Sequence, residues 1–556
     1  MTTPSNEPRG VGRASMILAS GTVVSRILGF ISAIILARTL GTVGAGADTF
    51  ALANQLPNNI YAIVAGGVLS AVLVPHIVKA GLDRDGGQSF INKIVTLGFV
   101  IFLAVAALAT LLAPALVALY AQSGGDGGRG FSPEEIALAV AFAYWCLPQV
   151  LFYALYSLLS EVLNARKVFG PFTWAPALNN IVAMTGLVIF GVVFPGRDTS
   201  EALEWSSSMV SLLAGSATAG VAAQAFILFL FWRRAGLSFR ADFRWRGVGL
   251  GKTGRAVSWM FGMILVAQIA GVVQANVASL AAGGDAPSLA ILRFSWLIFM
   301  LPHSVVAVSL ATAYFTRMST HARDGDSEAV RGDFVESVSR IGVFMVLATV
   351  GLIVVSLPFA RQFGGEGESI RAMALVISFY ALGLLAFSVL FVVQRVFYAL
   401  EDTRTPFFLQ VLQAVVFISL ALTASTLPID QIAYGLALST SIAGTIQTVT
   451  AIAVLRRKLG GLNLSPLMAT FARFALAALP ASGVGVALLM AWGGVDGGAY
   501  LTQSAVWSAL VMVVITVAMV LVYGGVLLAL RSPDARAIID PVLRHLPFTK
   551  RGNTSS

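Results

Sequence analysis

The sequence predicts an all-α polytopic membrane protein of about 14 transmembrane helices, arranged as two six-helix lobes followed by two C-terminal helices. Three observations carry this. Of 556 residues, 57% are hydrophobic and only 11% charged, with a mean hydropathy of +0.85; a soluble domain carries about 25% charged residues. Apolar stretches of roughly 20 residues, enough to cross about 30 Å of hydrocarbon, recur from end to end. Basic residues alternate between dense and sparse loops. The short alternating segments of a β-barrel are absent. The net charge of +10 follows topology, so no nucleic-acid partner is expected.

A polar tail, 1–13, precedes spans near 14–40, 49–80, 90–121, 133–166, 170–194 and 206–232, which form an N-lobe, 14–232. A basic linker, 233–255, leads to spans near 256–283, 286–317, 334–363, 370–400, 407–427 and 430–455, the C-lobe of 256–458. A last pair occupies 469–530, and a polar tail, 531–556, follows. No small-residue cleavage site follows the first apolar run, so 14–40 reads as a retained span. With the N-terminus inside, cytoplasmic segments and span ends hold 28 of the 36 Lys and Arg residues and the outer side five. That bias sets both termini in the cytoplasm. The remaining three, Arg26, Arg293 and Arg395, lie within spans.

An internal repeat supports the two lobes. LSAVLVPHIVKAGLDRDG (69–86) aligns without gaps on VSLATAYFTRMSTHARDG (308–325), and EVLNARKVFGPF (161–172) on VFYALEDTRTPF (396–407). Six spans per repeat is an even number, so the lobes share an orientation and relate by a pseudo-two-fold axis along the membrane normal. Secondary transporters built this way bind substrate between their repeats.

The polar residues inside spans are the candidate site. An arginine at the centre of a span costs about 2.5–3.5 kcal/mol on insertion scales. Arg26 stands 12 residues into span 1, roughly 18 Å at 1.5 Å per residue. It reads as a guanidinium bonded to protein carbonyls or as an anion contact in a wet cavity. Arg293 lies nearer the outer end of span 8. Arg395 lies near the inner end of span 10, where snorkelling or a structural pair is the simpler reading, and Glu161 mirrors it in span 4. In span 2, Asn54, Gln55, Asn58 and Asn59 surround Pro57. Four amides facing lipid are costly, so most are expected on one side, lining protein or water. Pro57 permits a kink, and the helix reads as a gate or as hydrogen-bond glue. Gln268, Gln274 and Asn276 give span 7 the same two readings. Asp48, in the outer turn GTVGAGAD, is placed to cap span 2. His76 and His303 each follow a proline and read as structural, and Cys146 as a small apolar residue. No Walker loop, HExxH motif or Cys/His metal spacing occurs, so no catalytic residue, metal or cofactor is expected. Arginines and amides with almost no carboxylate suit an anionic substrate.

SRILGF (25–30), LPNNIYAIVAGGVLSAVLVP (56–75) and FYALEDTRTP (397–406) resemble the MviN/MurJ lipid II flippases of the multidrug/oligosaccharidyl-lipid/polysaccharide exporter superfamily. The resemblance covers about 14 to 530. It implies a non-enzymatic, multi-pass transporter of the bacterial cytoplasmic membrane. Its substrate would be the undecaprenyl-pyrophosphate-linked peptidoglycan precursor, moved from inner to outer leaflet by alternating access. Membrane lipids and peptidoglycan polymerases or other wall-synthesis proteins are the implied partners. Arg26 and Arg293 become pyrophosphate contacts, with Ser25 and Gly29 in the same motif as Arg26, and Asp48 matches an acidic position before span 2. The cavity reading adds Asn54, Asn58, Asn59 and Gln268 as lining, and Pro57, Gly29, Arg395 and Glu161 as gating or structural residues. Positions commonly basic in the family are neutral here, at Ser32, Ala33, Tyr61 and Ala62. Spans 7, 11 and 12 hold no carboxylate for a sodium site. Three alternatives stay open: a flippase for another polyprenyl-linked oligosaccharide, a cation-coupled multidrug exporter, and a non-transporting wall-synthesis scaffold.

Overall fold

The computed structural model describes residues 7–65, 85, 87–124, 129–244, 254–365, 367–492, 504–533 and 536. Among these, 12 helices are long and apolar enough to cross a membrane. The pair Gly367–Ala381 and Leu384–Ala399, bent by 41°, makes a thirteenth when taken as one span. Helix Ala45–Ala65 is the described part of span 2. The rest of that span, with His76 and the repeat arm beginning at 69, lies outside the described residues, as does most of the C-terminal tail. The first helix, Glu7–Leu40, starts ahead of the expected span.

Two compact units emerge, Met1–Ile291 with Ala421–Ala433, and Leu292–Leu420 with Tyr434–Ser556. Their divide falls inside span 8, later than the linker. The first unit thus also holds all of span 7, Gly254–Ser279, and the last residues of span 11. Asn276 Nδ2 donates to the Leu119 carbonyl at 2.7 Å, and the Gln122 N–H donates to Ser279 Oγ at 2.7 Å. Arg129 donates to the carbonyls of Ser425, at 3.3 Å, and Leu427 just past the helix ending at Ala424. Loose helix-end carbonyls favour such a cation.

Proline stands at the breaks of three long spans, whereas the bend of span 10 falls at Leu382-Gly383. Span 3 is interrupted at Leu112, just before Pro114, and span 4 at Leu147 and Pro148. In span 8, Pro302 precedes a π-helical turn, His303–Ala307. A proline lacks the N–H of the i→i−4 ladder and crowds the preceding turn.

Small residues set the closest helix approaches, since apolar surface gains nothing by leaving lipid. In the first unit, Gly186 of span 5 meets Ser216 of span 6 so closely that a Cβ there would lie 2.1 Å from Ser216 Oγ. A leucine- and valine-rich cluster including Ile91, Leu158, Val162 and Leu228 fills the end of this unit that meets the linker. In the second unit, spans 13 and 14 pack onto span 9. Gly342 abuts Phe471, Gly485 abuts Met519, and the Tyr523 hydroxyl donates to the Val343 carbonyl at 3.0 Å.

The two units carry the same turn. Helix Gln149–Ala165 ends with Lys167 at φ 59, and helix Leu384–Ala399 with Glu401 at φ 57. In each, the next N–H returns five residues, from Val168 to the Leu163 carbonyl and from Asp402 to that of Phe397, both at 2.9 Å. These are Schellman closures, costly at non-glycine positions. The aligned stretches therefore share a turn, one residue out of register with the ungapped match. Asp402 then caps helix Arg404–Ala424, accepting from the Thr405 N–H at 2.9 Å, and also pairs with Lys458. Burial opposes ionisation, but the bonds from Lys458 and Thr405 hold this carboxyl below its usual range.

Two predictions follow from these contacts. Gly186→Ala should destabilise the protein by about 1–3 kcal/mol through overpacking, lowering the unfolding temperature in detergent, and Ser216→Gly should restore it. Asp402 stabilises the fold above its ordinary pKa of about 3.9 and loses this as pH falls through the lowered value. Unfolding scans from pH 6 downward should therefore show a steeper acid loss in the wild type than in Asp402→Asn.

Candidate functional site

Span 1 is held to span 5 by an amide. Asn180 Nδ2 donates to the Ser25 carbonyl at 2.9 Å. Gly29, one helical turn on, makes room for it: a Cβ there would lie 3.4 Å from Asn180 Nδ2. Ser25 and Gly29 thus have a concrete task, fixing the helix on either side of Arg26. The Arg26 side chain is half-buried, and its Nη1 is buried with no hydrogen-bond partner. A buried guanidinium N–H without an acceptor is costly. Its planar donor fork suits an incoming oxyanion.

The span 2 amides divide between faces instead of sharing one. Gln55 and Asn58 are exposed, whereas Asn59 is buried and bonded to Tyr120. Asn54 Oδ1 accepts from Gln149 Nε2 at 3.3 Å, and the same nitrogen reaches Thr218 Oγ1 at 2.9 Å. Thr218 in turn donates to the Trp145 carbonyl at 2.7 Å. This network ties spans 2, 4 and 6. Pro57 is buried within a continuous helix.

Asp48 does not cap span 2. The helix already begins at Ala45, so Asp48 sits inside its first turn, fully buried. Its Oδ1 accepts the Ala290 N–H at 2.9 Å. That amide belongs to the opening turn of helix Leu289–Pro302, so Asp48 caps span 8 across 242 residues of sequence. Beside it, Glu135 closes a capping box with Ser132. Gly283, at φ +86, lies so near that a Cβ would fall 2.3 Å from Glu135 Oε1.

The remaining candidates are spread out. Gln268 is half-buried on helix Gly254–Ser279, and Glu161 is half-buried near Tyr61. Arg293 is half-buried and belongs to the second unit, as does Arg395. The Arg395 guanidinium lies over the Phe391 and Phe315 rings, 4.7 and 5.4 Å from their centroids. His303 is buried, 3.0 Å from Ser388 Oγ. Near the π-helical turn, a cavity of about 540 Å³ opens between spans 8, 9 and 14. Phe344, Leu352, Phe359, Met512 and Val517 are among its walls, and Thr516 is its single polar side chain.

Beside this arginine, these amide-linked helices and the apolar cavity stands the likeness to known proteins. The family model for lipid II flippase MurJ matches residues 36–506. The chain belongs to the lipid II flippase MurJ family. This is a family of transporters, not enzymes, and its members are multi-pass membrane proteins. The probable lipid II flippase MurJ of Rickettsia prowazekii (strain Madrid E) is 26% identical over 406 residues, covering 71% of this chain and 74% of the relative. That of Rhizobium tropici is 25% identical over 453 residues, covering 79% and 80%. A solved lipid II flippase MurJ in an inward closed conformation aligns with a TM-score of 0.69 at 19% identity, over 95% of this chain and 100% of its own. An inward-facing MATE family transporter of the MOP superfamily gives 0.57 at 14%, over 80% and 98%. These likenesses show an all-helical fold of the MurJ and MATE kind. The MurJ match begins past Arg26, whose role therefore rests on its own surroundings.

Asn180 and Gln149 escaped the sequence reading. Asn179-Asn180 in an otherwise apolar span carried the same signal as the span 2 amides. Glu135, near a helix start, had an ordinary capping role that concealed its neighbours. The Asp48 cap gives a direct test. Asp48→Ala leaves the Ala290 N–H without its acceptor and should cost about 0.5–2 kcal/mol, read as a lower unfolding temperature in detergent.

Proposed function

We propose that this protein flips lipid II from the inner to the outer leaflet by alternating access, with Arg26 holding the pyrophosphate. The observation that carries the role of Arg26 is its buried, unpartnered Nη1 within a membrane span. Family membership supports the cargo. Arg293 is the second proposed pyrophosphate contact, and the exposed Asn58 and half-buried Gln268 are the proposed polar lining, since Asn54 and Asn59 are engaged by Gln149 and Tyr120. The cavity near Pro302 takes part of the prenyl tail, because its walls are apolar and isoprene units present only carbon to them. An arginine-bearing carrier returning empty would gain about 2.3 kcal/mol per charge per 100 mV of membrane potential. Both termini and the linker face the cytoplasm in this reading, as the basic-residue bias requires. Wall-synthesis enzymes that consume the flipped precursor are the proposed partners.

A scaffold without transport is the second reading, favoured by neutral Ser32, Ala33, Tyr61 and Ala62. One experiment separates the two. The protein is depleted in its host, and a probe that cleaves only outer-leaflet lipid II is added to intact cells. Cleavable lipid II should collapse while total lipid II rises. Re-expressed Arg26→Ala should insert normally yet fail to restore cleavage. Full restoration by Arg26→Ala would remove the role given to that residue. Unchanged outer-leaflet lipid II in depleted cells would favour the scaffold.

A further inference from the structure

The linker after span 6 is fastened along the inner end of span 3. Gln88, Asn92 and Thr96 fall one helical turn apart on helix Gln88–Leu111, so they share a face. Gln88 Oε1 accepts the Ser238 N–H at 3.0 Å, and its Nε2 donates back to the Ser238 carbonyl. Asn92 Oδ1 accepts the Arg240 N–H at 3.3 Å, and Thr96 Oγ1 the Asp242 N–H at 3.0 Å. From Gln88 to Thr96 the helix rises about 12 Å. From Ser238 to Asp242 an extended chain advances about 13 Å. The two therefore run in step, and the linker forms a strap whose alternate amides are bonded to helix side chains.

What the strap presents outward is aromatic and basic. Phe239 and Phe243 are 42% and 63% exposed. Arg240 and Arg244 are exposed, as are Arg233 and Arg234 just before them. Asp242, paired with Arg244 at 3.3 Å, is the only acidic residue in 233–244. Directly beyond Thr96, the exposed apolar side chains of span 3 begin at Phe99, Val100 and Ile101. That change marks the edge of the hydrocarbon, about one helical turn past the end of the strap. The strap thus lies at headgroup depth, where aromatic rings settle between apolar and wet surroundings. Guanidinium groups at that depth meet phosphate oxygens.

We propose that the strap, 238–244, binds the phosphates of anionic phospholipids in the inner leaflet and so pins the inner end of span 3 at the headgroup plane. The full-length protein tests this in nanodiscs and in native mass spectrometry, with phosphatidylglycerol and phosphatidylcholine as probes. The wild type should retain phosphatidylglycerol in preference to phosphatidylcholine. Arg240→Gln with Arg244→Gln should weaken that retention about 25-fold, two cations at about fivefold each. Equal retention by variant and wild type would overturn the proposal. So would a variant that loses undecaprenyl pyrophosphate while keeping phosphatidylglycerol, which would assign the strap to the transported lipid. A measurement on the wild type alone guards against a misfolded variant. Amide exchange at Ser238, Arg240 and Asp242 should be slower in phosphatidylglycerol discs than in phosphatidylcholine discs, and equal rates would overturn the idea.

Discussion

Inside a bilayer a polar side chain has no water to turn to, and this constraint orders the protein. Many hydroxyls within spans bond back to their own helix, as Thr96 does to the Asn92 carbonyl, while several amides reach across to other helices. Asn180 reaches the Ser25 carbonyl, Gln149 bridges Asn54 and Thr218, and Ser441 reaches the Phe379 carbonyl. Two of these bonds need close helix approach, which is why Gly29 and Gly383 stand beside Asn180 and Ser441. Several buried polar atoms keep no partner, among them Ser295 Oγ and Thr349 Oγ1, but Arg26 Nη1 belongs to a permanently charged group in a membrane span, where an unmet donor is most costly.

In the proposed function, the same constraint separates the two chemistries that a lipid-linked substrate demands. A pyrophosphate needs fixed donors in a protein interior, while a prenyl chain needs only apolar walls. Arg26 lies in the first unit among amide-linked helices, and the apolar cavity lies in the second among spans 8, 9 and 14. Asp48 shows a further economy. A carboxylate buried in one helix caps the start of another, so the opening of span 8 is tied to the opening of span 2 within the first unit.

Much of the fold was legible because hydropathy, basic-residue bias and proline act locally. Described apolar helices overlap the expected spans, and the turns at Lys167 and Glu401 recur in the two aligned stretches. Amide pairing was not legible. Asn54, Asn58 and Asn59 look equivalent along the chain, yet one is bridged, one exposed and one buried against Tyr120. Asp48 reads as a cap for the nearest helix, because sequence offers no hint of an amide 242 residues away.

By itself the sequence determined that this chain is a helical membrane protein and that an arginine falls inside its first long apolar helix. Those follow from transfer free energies summed over short windows, and no distant residue alters them. Only the tertiary structure decided which polar groups meet, which stay free, and which residues the helix contacts require to be small. Those outcomes depend on helix rotation and depth, set by packing among spans far apart in the chain.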